Sequence, residues 1–569
     1  MNLFAPFNSD CYKLGHAAMY ADGTQAVYSN LTPRSDRIYR QKATRYYDGK
    51  LVVIGLQGAV MEIVENWQKF FEMDKAVALA QFKLLCDFML GPDVVSVEGL
   101  SKLHDLGYLP LEIKTLQEGR KVPMGIPVLT IRNTVAHAYW LVNFLETTIS
   151  DLTWKTMTNA TIAAEYKAML LDFALRTGSP IEGVAYQGHD FSARGMSGPE
   201  DAARSGFGPL GSFLGTDTLG AVLYAMEYYG EKGFVAASVP ATEHAVATSN
   251  ILGIQERFAA KSEGNHISRL LAEKAFMKDL ITRKFPKGIV SYVADSFDFW
   301  AVLTEILPDL KEVIMARESN GITPGKLVIR PDSGDPVKVI CGMSPVVGVD
   351  RKAVDFQTVE EVHEAIQDRA YNFDGVDCVK IDGKFYPLTV KDGYTALGYT
   401  EIPYEVVAGA VRTLWKTFGG TTTSKGYKLL DEHIGLIYGD SITPQRCLEI
   451  LERLEAQGFA SGNVVFGIGS YTYQMSSRDT FGFAVKATYT VVNGKGIAIF
   501  KDPKTDSKKK SAKGLLFVGR NSEAGYYLED DVSPEEEASE ENLLKLLFLD
   551  GVFLRRTTLT EIRERLGTI

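Results

Sequence analysis

Ser238 to His244 reads SVPATEH, after the apolar run Gly233–Ala237 and before an amphipathic run from Ala245 to about Ala260. Pro240 is expected to end a strand. Thr242 is expected to cap a helix whose first turn holds Glu243 and His244. At such a helix start the unpaired N–H groups and the positive end of the dipole disfavour imidazolium, so the ring is expected to stay largely neutral near pH 7. A neutral imidazole there can act as a nucleophile or hydrogen-bond partner for a phosphate, which the helix terminus also attracts. A lone histidine at a helix start is more often a surface or packing residue; what favours chemistry here is repetition of the pattern.

Short apolar or glycine-flanked runs end in polar clusters at His189-Asp190-Phe191, Gly215-Thr216-Asp217, Glu243-His244, Asp295-Ser296, Arg330-Pro331-Asp332-Ser333-Gly334, Gly439-Asp440-Ser441 and Gly467-Ile468-Gly469-Ser470. Each cluster alone is an ordinary turn, because Asp, Gly and Ser favour turns. Their succession in an alternating strand–helix context predicts a β/α barrel, in which residues at the C-terminal strand ends share one face. Carboxylates, arginines, a histidine and glycine turns suit a ligand with hydroxyls and phosphates.

The elements that must hold these clusters belong to a chain of 569 residues with 45% apolar and 11% aromatic content, enough for two or more domains. The net charge of −10 argues against a nucleic-acid or anionic-membrane partner, while leaving room for a local basic pocket. Five scattered cysteines, Cys11, Cys86, Cys341, Cys378 and Cys447, suggest neither a disulfide framework nor a zinc site. No leader pattern or membrane-length apolar run is read in the sequence, and a cytoplasmic location is expected.

Helices are predicted from about Leu56 to Phe71, Lys75 to Met89 and across Ala136 to Leu175, and hairpin strands from Leu111 to Arg132. After Pro336 the alternation lapses until about Gly426, which marks an insertion with an acidic helical stretch at Thr358 to Arg369. Val491 to Phe500, VVNGKGIAIF, predicts a hairpin around Asn493-Gly494. The lysine-rich run Lys501 to Gly514 reads as a solvated loop.

DCYK, GLQ, HDFSARG, GTDT, SVPATEH, ADSFD, IRPDSGDP, SKGYKLL, YGD, SRD and FKDP follow one another over nearly the whole length. With these motifs the chain resembles the nicotinate/nicotinamide branch of the type II phosphoribosyltransferases. The resemblance implies an irregular β/α barrel with a second α+β domain built from both chain ends, and a homodimer with active sites at the interface. The expected division is 1–155 and 475–569 for the α+β domain and 156–474 for the barrel, with an insertion at about 337–425. The implied reaction joins nicotinamide to the ribosyl carbon of phosphoribosyl pyrophosphate with Mg²⁺. ATP hydrolysis through a phosphohistidine enhances turnover.

Carried onto this sequence, the resemblance makes Phe191 and a partner subunit's Tyr12 a sandwich around the pyridine ring, with Arg194 near the amide and pyrophosphate. Asp217 accepts from the carboxamide and repels nicotinate, Ser238 joins the substrate-binding set, and His244 is the phosphorylated histidine. Arg330 and Asp332 hold the ribose phosphate and hydroxyls, Gly439 and Asp440 the ribose, and Gly469 and Ser470 a phosphate turn. Arg34, Arg478 and Lys486 are cations around the phosphates. Asp295, Asp298 and Asp332 are all candidates for stabilising the ribosyl cation or holding the metal. The sequence departs from the family at Ser470 and Tyr471, where glycines are common, and at Gly435, where an arginine is common. The rival readings are nicotinate as the base, and a non-catalytic nucleotide-binding homologue.

Overall fold

The structure, a computed structural model, describes residues 5–261, 267–349, 352–368, 370–391, 394–501, 512–521 and 525–568. The chain forms two compact units. One comprises Met1–Ala168, Asp190–Ala237 and Ser470–Ile569, the other Met169–His189 and Ser238–Gly469.

In the first unit a seven-stranded sheet runs Lys495–Ala498, Phe483–Val492, Thr24–Pro33, Leu129–Asn133, Leu111–Thr115, Lys545–Leu549 and Val552–Phe553 in spatial order. Both chain ends therefore share one antiparallel sheet, with Thr24–Pro33 between Phe483–Val492 and Leu129–Asn133. The predicted hairpin is present. Asn493 and Gly494 take φ of 50° and 76°, the left-handed pair that a two-residue turn matching strand twist requires.

The stretch 111–132 departs from a plain succession of hairpins. Leu111–Thr115 pairs with Leu129–Asn133, whereas Arg120–Pro123 pairs with Lys50–Val53. Buried Glu118 accounts for the diversion. Its carboxylate accepts from the Gly55 and Gln57 amides at 2.7 and 2.6 Å, at the start of helix Leu56–Phe71, and from the Tyr229 hydroxyl. The helices predicted near 56–71 and 75–89 are observed at Leu56–Phe71 and Lys75–Leu90.

The second unit is built on parallel strands in the order Val464–Ile468, Ile434–Tyr438, Lys326–Arg330 and Ile289–Val293. Val290, Tyr292, Val293, Leu327, Ile329, Leu436, Tyr438, Phe466 and Ile468 are buried, the near-continuous apolar pattern of a sheet covered on both faces. Helices follow at Pro336–Cys341 and Pro444–Ala456. Asp335 accepts from the Val337 and Lys338 amides at the start of the first, and Thr443 from the Arg446 amide at the start of the second.

Within the insertion, Asp355–Phe356, Cys378–Ile381, Lys384–Lys391 and Tyr394–Leu397 form a separate four-stranded sheet. Helix Val359–Gln367, capped by Thr358, closes it over a core that includes Val346, Phe356, Val362, Val379 and Leu388. The expected helical stretch ended at Arg369, which lies outside the described residues, as do 502–511 of the lysine-rich run. Among the described residues no helix is long and apolar enough to cross a membrane.

Candidate functional site

In the second unit the polar clusters at 295–296, 330–334, 439–441 and 467–469 follow the C-terminal ends of the parallel strands. Asp295 ties two of these regions to His244. Its Oδ1 lies 3.0 Å from His244 Nε2, while Oδ2 accepts from the Asp332 amide at 2.9 Å and the Ser333 hydroxyl at 2.6 Å. Burial raises the cost of charge on Asp295. The Ser333 hydroxyl, the Asp332 amide and the His244 ring outweigh it and hold the carboxyl below its ordinary value. An ionised acceptor facing Nε2 favours the tautomer with hydrogen on Nε2, which leaves the Nδ1 lone pair of a neutral ring available for chemistry.

His244 is the first residue of helix His244–Lys261 and its side chain is 46% exposed, so a ligand can reach it. The expected cap at Thr242 is not formed. The Thr242 hydroxyl accepts from the Val293 amide at 2.8 Å, and its own amide donates to the Ser291 carbonyl. That pairing stitches the SVPATEH loop to the neighbouring strand and leaves Glu243 outside the helix. The strand expected at Gly233–Ala237 is likewise reduced to a bridge between Ala237 and Gly215, and a second bridge joins Ala241 to Ser291.

Arg330 ends its strand and donates from a terminal nitrogen to the Thr242 carbonyl at 2.9 Å. Among the described residues its buried Nε has no hydrogen-bond partner, nor has the buried Ser296 hydroxyl oxygen. Unpaired buried donors at these strand ends are what a site keeps for an anionic ligand. Tyr438 fixes the turn after Arg330 by donating to the carbonyls of Ser333 and Gly334 at 3.0 and 2.9 Å. Next to it Gly439 and exposed Asp440 lead into Ser441, whose φ of 50° marks a strained turn. Gly469 follows the strand Val464–Ile468, and among the described residues no atom beyond its chain neighbours lies within 4 Å of the place of a β-carbon. Ser238 is exposed at the beginning of the loop, and Asp298 caps the helix that starts at Phe299 by accepting from the Ala301 amide.

In the first unit Asp190 organises a second group. It accepts from the Ser192 amide at 2.9 Å and the Thr218 hydroxyl at 2.6 Å, and its carbonyl accepts from the Asp217 amide at 2.9 Å. Half-buried Phe191 and exposed Asp217 are thereby fixed to one residue. Exposed Arg194 lies in the short turn Ala193–Gly195. A β-carbon on Gly195 would stand 2.2 Å from Ser470 Oγ, so Ser470 occupies the space that this glycine leaves.

Arg34, Arg478 and Lys486, the other expected phosphate-binding cations of this unit, have partners of their own. Arg34 donates to the Gly482 carbonyl at 2.9 Å, and Arg478 faces Asp479 at 3.4 Å. Lys486 lies 3.6 Å from Glu146, which also holds buried Lys13 at 2.7 Å. The Lys13 ammonium is 5.1 Å from the ring of Tyr12, itself 61% exposed. At Gly435 a β-carbon would stand 3.3 Å from the Lys326 side chain, which covers the position where the family commonly has arginine.

Tyr438 is a positioning residue that sequence reasoning did not single out, while Ser333 was named only within its cluster and Thr242 only as a helix cap. The signal that could have found Tyr438 was its place before Gly439-Asp440 in the YGD motif. Among the described residues no group of three or more His, Cys, Asp or Glu side chains is arranged to hold a metal.

The fold is that of the type II phosphoribosyltransferases. The chain matches the crystal structure of human nicotinic acid phosphoribosyltransferase with a TM-score of 0.50 at 16% identity, over 98% of this chain and 93% of that one. The nicotinate phosphoribosyltransferase (NAPRTase) family matches residues 186–548, and the chain belongs to that family. It is 46% identical to a nicotinamide phosphoribosyltransferase of Acinetobacter baylyi, over 99% of this chain and 97% of the relative. It is 30% identical to one of Xanthomonas campestris pv. campestris, over 98% and 96%.

Proposed function

We propose that the chain is a cytoplasmic nicotinamide phosphoribosyltransferase of NAD synthesis or salvage. It joins nicotinamide to phosphoribosyl pyrophosphate, giving nicotinamide mononucleotide and pyrophosphate. The observation that carries this reading is the end-to-end similarity, at 46% identity, to the nicotinamide enzyme of A. baylyi.

In this reading Phe191 and Tyr12 of a partner subunit stack on the pyridine ring, Asp217 accepts from the carboxamide N–H, and Arg194 contacts amide and pyrophosphate. A nicotinate carboxylate about 4 Å from Asp217 would meet a repulsion of about 4 kcal/mol at an effective dielectric of 20, roughly a thousandfold in binding. Arg330 and Asp332 take the ribose phosphate and hydroxyls, Ser238 contributes a hydroxyl to the substrate, and Gly439 and Asp440 take the ribose. Gly469, Ser470, Arg34, Arg478 and Lys486 contribute to phosphate binding.

The pyridine nitrogen forms the new bond to the ribosyl carbon as the bond to the pyrophosphate oxygen breaks. Asp332, Asp295 and Asp298 supply carboxylates for the cationic ribosyl carbon, and the arginines balance the departing charge. One or two of these carboxylates, together with the phosphates of the substrate, would hold Mg²⁺. When bound it neutralises phosphate charge. His244 Nδ1 attacks the terminal phosphorus of ATP, the bond to ADP breaks, and Nε2 keeps its hydrogen, donated to Asp295 Oδ1.

Product formation from phosphoribosyl pyrophosphate and Mg²⁺, with nicotinamide or nicotinate and with or without ATP, tests the reading. Nicotinamide mononucleotide as main product, stimulated by ATP, is expected. Nicotinate as preferred base would overturn the substrate, and no product from either would favour a binding protein on this scaffold.

A further inference from the structure

Outside the strand-end clusters, the second unit contains a cavity of about 620 Å³. It lies between the turn 302–309 and two helices of the insertion, Tyr404–Ala408 and Ala410–Phe418. None of the residues assigned to the transferase reaction lines it. Its volume falls in the range of small-molecule sites.

The lining carries three cations, Lys311, Arg412 and Lys416, all exposed and none in an ion pair among the described residues. Among the described residues the one carboxylate in the lining is Glu405. Three positive charges against one negative leave a surplus of two, on a chain whose net charge is −10. Like-charged side chains around one cavity repel one another unless an anion is present. Two aromatic side chains, Tyr404 and Trp415, complete the chemistry. Tyr404 is 57% exposed, and Trp415 is braced by Phe459 at 6.3 Å between ring centroids and by the Lys428 ammonium at 5.7 Å. The third wall is a π-helical turn, Val302–Ile306, which presents Thr304 to the cavity; such wide turns recur at functional sites.

We infer that this cavity is a second ligand site, for a dianionic phosphate monoester carrying an aromatic ring, the chemistry of a nucleoside monophosphate. The phosphate sits among Lys311, Arg412 and Lys416, and the ring lies against Trp415 or Tyr404. A ligand held there touches the π-helical turn Val302–Ile306, which continues the short helix Phe299–Ala301 that Asp298 caps.

The test is calorimetric titration of AMP into the full-length protein, its Lys311→Ala/Arg412→Ala/Lys416→Ala variant and its Arg330→Ala variant. AMP is expected to bind the Arg330→Ala protein with wild-type affinity at this site and the triple variant at least tenfold more weakly. Inorganic phosphate is expected to bind the wild type at least tenfold more weakly than AMP. Should the triple variant melt differently from wild type, Arg412→Ala alone is expected to weaken AMP three- to tenfold. Quenching of tryptophan fluorescence by AMP is expected to fall on Trp415→Phe. Absence of AMP binding, or binding lost in Arg330→Ala and kept in the triple variant, would overturn the site. Equal affinity for phosphate and AMP would overturn the aromatic part of the ligand.

Discussion

Asp295 divides its two oxygens between a histidine on one side and the Asp332-Ser333 turn on the other, and the chemistry proposed for His244 depends on that division. Asparagine at 295 keeps one accepting oxygen and turns the other into a donor, so it can no longer both accept from the Asp332-Ser333 turn and hold His244 in the tautomer with hydrogen on Nε2. Asp295→Asn is expected to lose about 1–2 kcal/mol of stability at pH 7 and at least tenfold of ATP stimulation. Its native value lies below the ordinary one, so its stabilisation is complete above about pH 4 and lost as pH falls through the lowered value. Urea midpoints of wild type and variant are therefore expected to differ at pH 7 and to converge as pH falls through the lowered native value. Incubation with γ-labelled ATP is expected to leave acid-labile phosphate on wild type and none on His244→Ala; label retained by the variant would remove His244 from its role. Glu273 behaves oppositely. Burial pushes its carboxyl up to about 7, against the Tyr292 hydroxyl that donates to it at 2.8 Å and with Asp298 adding to the rise. The native state then holds a proton that the unfolded chain releases, so stability falls as pH rises from about 4.5 to 7. Glu273→Gln is expected to match wild type at pH 5 and exceed it by about 1–2 kcal/mol at pH 8 in the same denaturation assay.

At the scale of elements, Ser470 answers a question that the family pattern raised. A serine where glycine is common fits because Gly195 leaves it room, and the two positions must change together. Gly195→Ala is expected to cost about 1–3 kcal/mol, and Ser470→Gly in the same chain is expected to recover most of it; additive losses in thermal or urea denaturation would contradict the contact. The parallel strands were legible because apolar runs ending in Asp, Arg or Gly turns carry their own punctuation. The terminal hairpin was legible because Asn493-Gly494 supplies two left-handed residues. The helix start at His244 was misplaced by one residue because Thr242 is as good a partner for a strand amide as for a helix amide, and only the neighbouring strand decides between them. The pairing of Arg120–Pro123 with Lys50–Val53 was hidden for a similar reason: Glu118, buried and caught by the Gly55 and Gln57 amides, looks in sequence like a turn carboxylate. Of the site, residue types at strand ends were readable. Clamps such as Tyr438 on the Ser333 and Gly334 carbonyls were not, because a tyrosine inside an apolar strand announces burial rather than its hydroxyl's partner.

At the scale of the whole molecule, the proposed stacking of Tyr12 from a partner subunit requires a homodimer. Sedimentation is expected to give about twice the chain mass of 62.7 kDa. Tyr12→Ala and Asp217→Ala chains, each nearly inactive alone, are expected to regain up to about a quarter of wild-type activity when unfolded and refolded together; no regain would argue for a site completed within one chain. The central claim is narrower and concerns the base. It is tested most directly by kcat/KM for nicotinamide and for nicotinate, measured side by side on wild type and on Asp217→Asn. Wild type is expected to favour nicotinamide by roughly a hundredfold or more, and Asp217→Asn to shrink that preference at least tenfold, mainly by admitting nicotinate. A wild-type preference for nicotinate, or a ratio that Asp217→Asn leaves unchanged, would contradict the assignment of Asp217 and with it the choice of substrate.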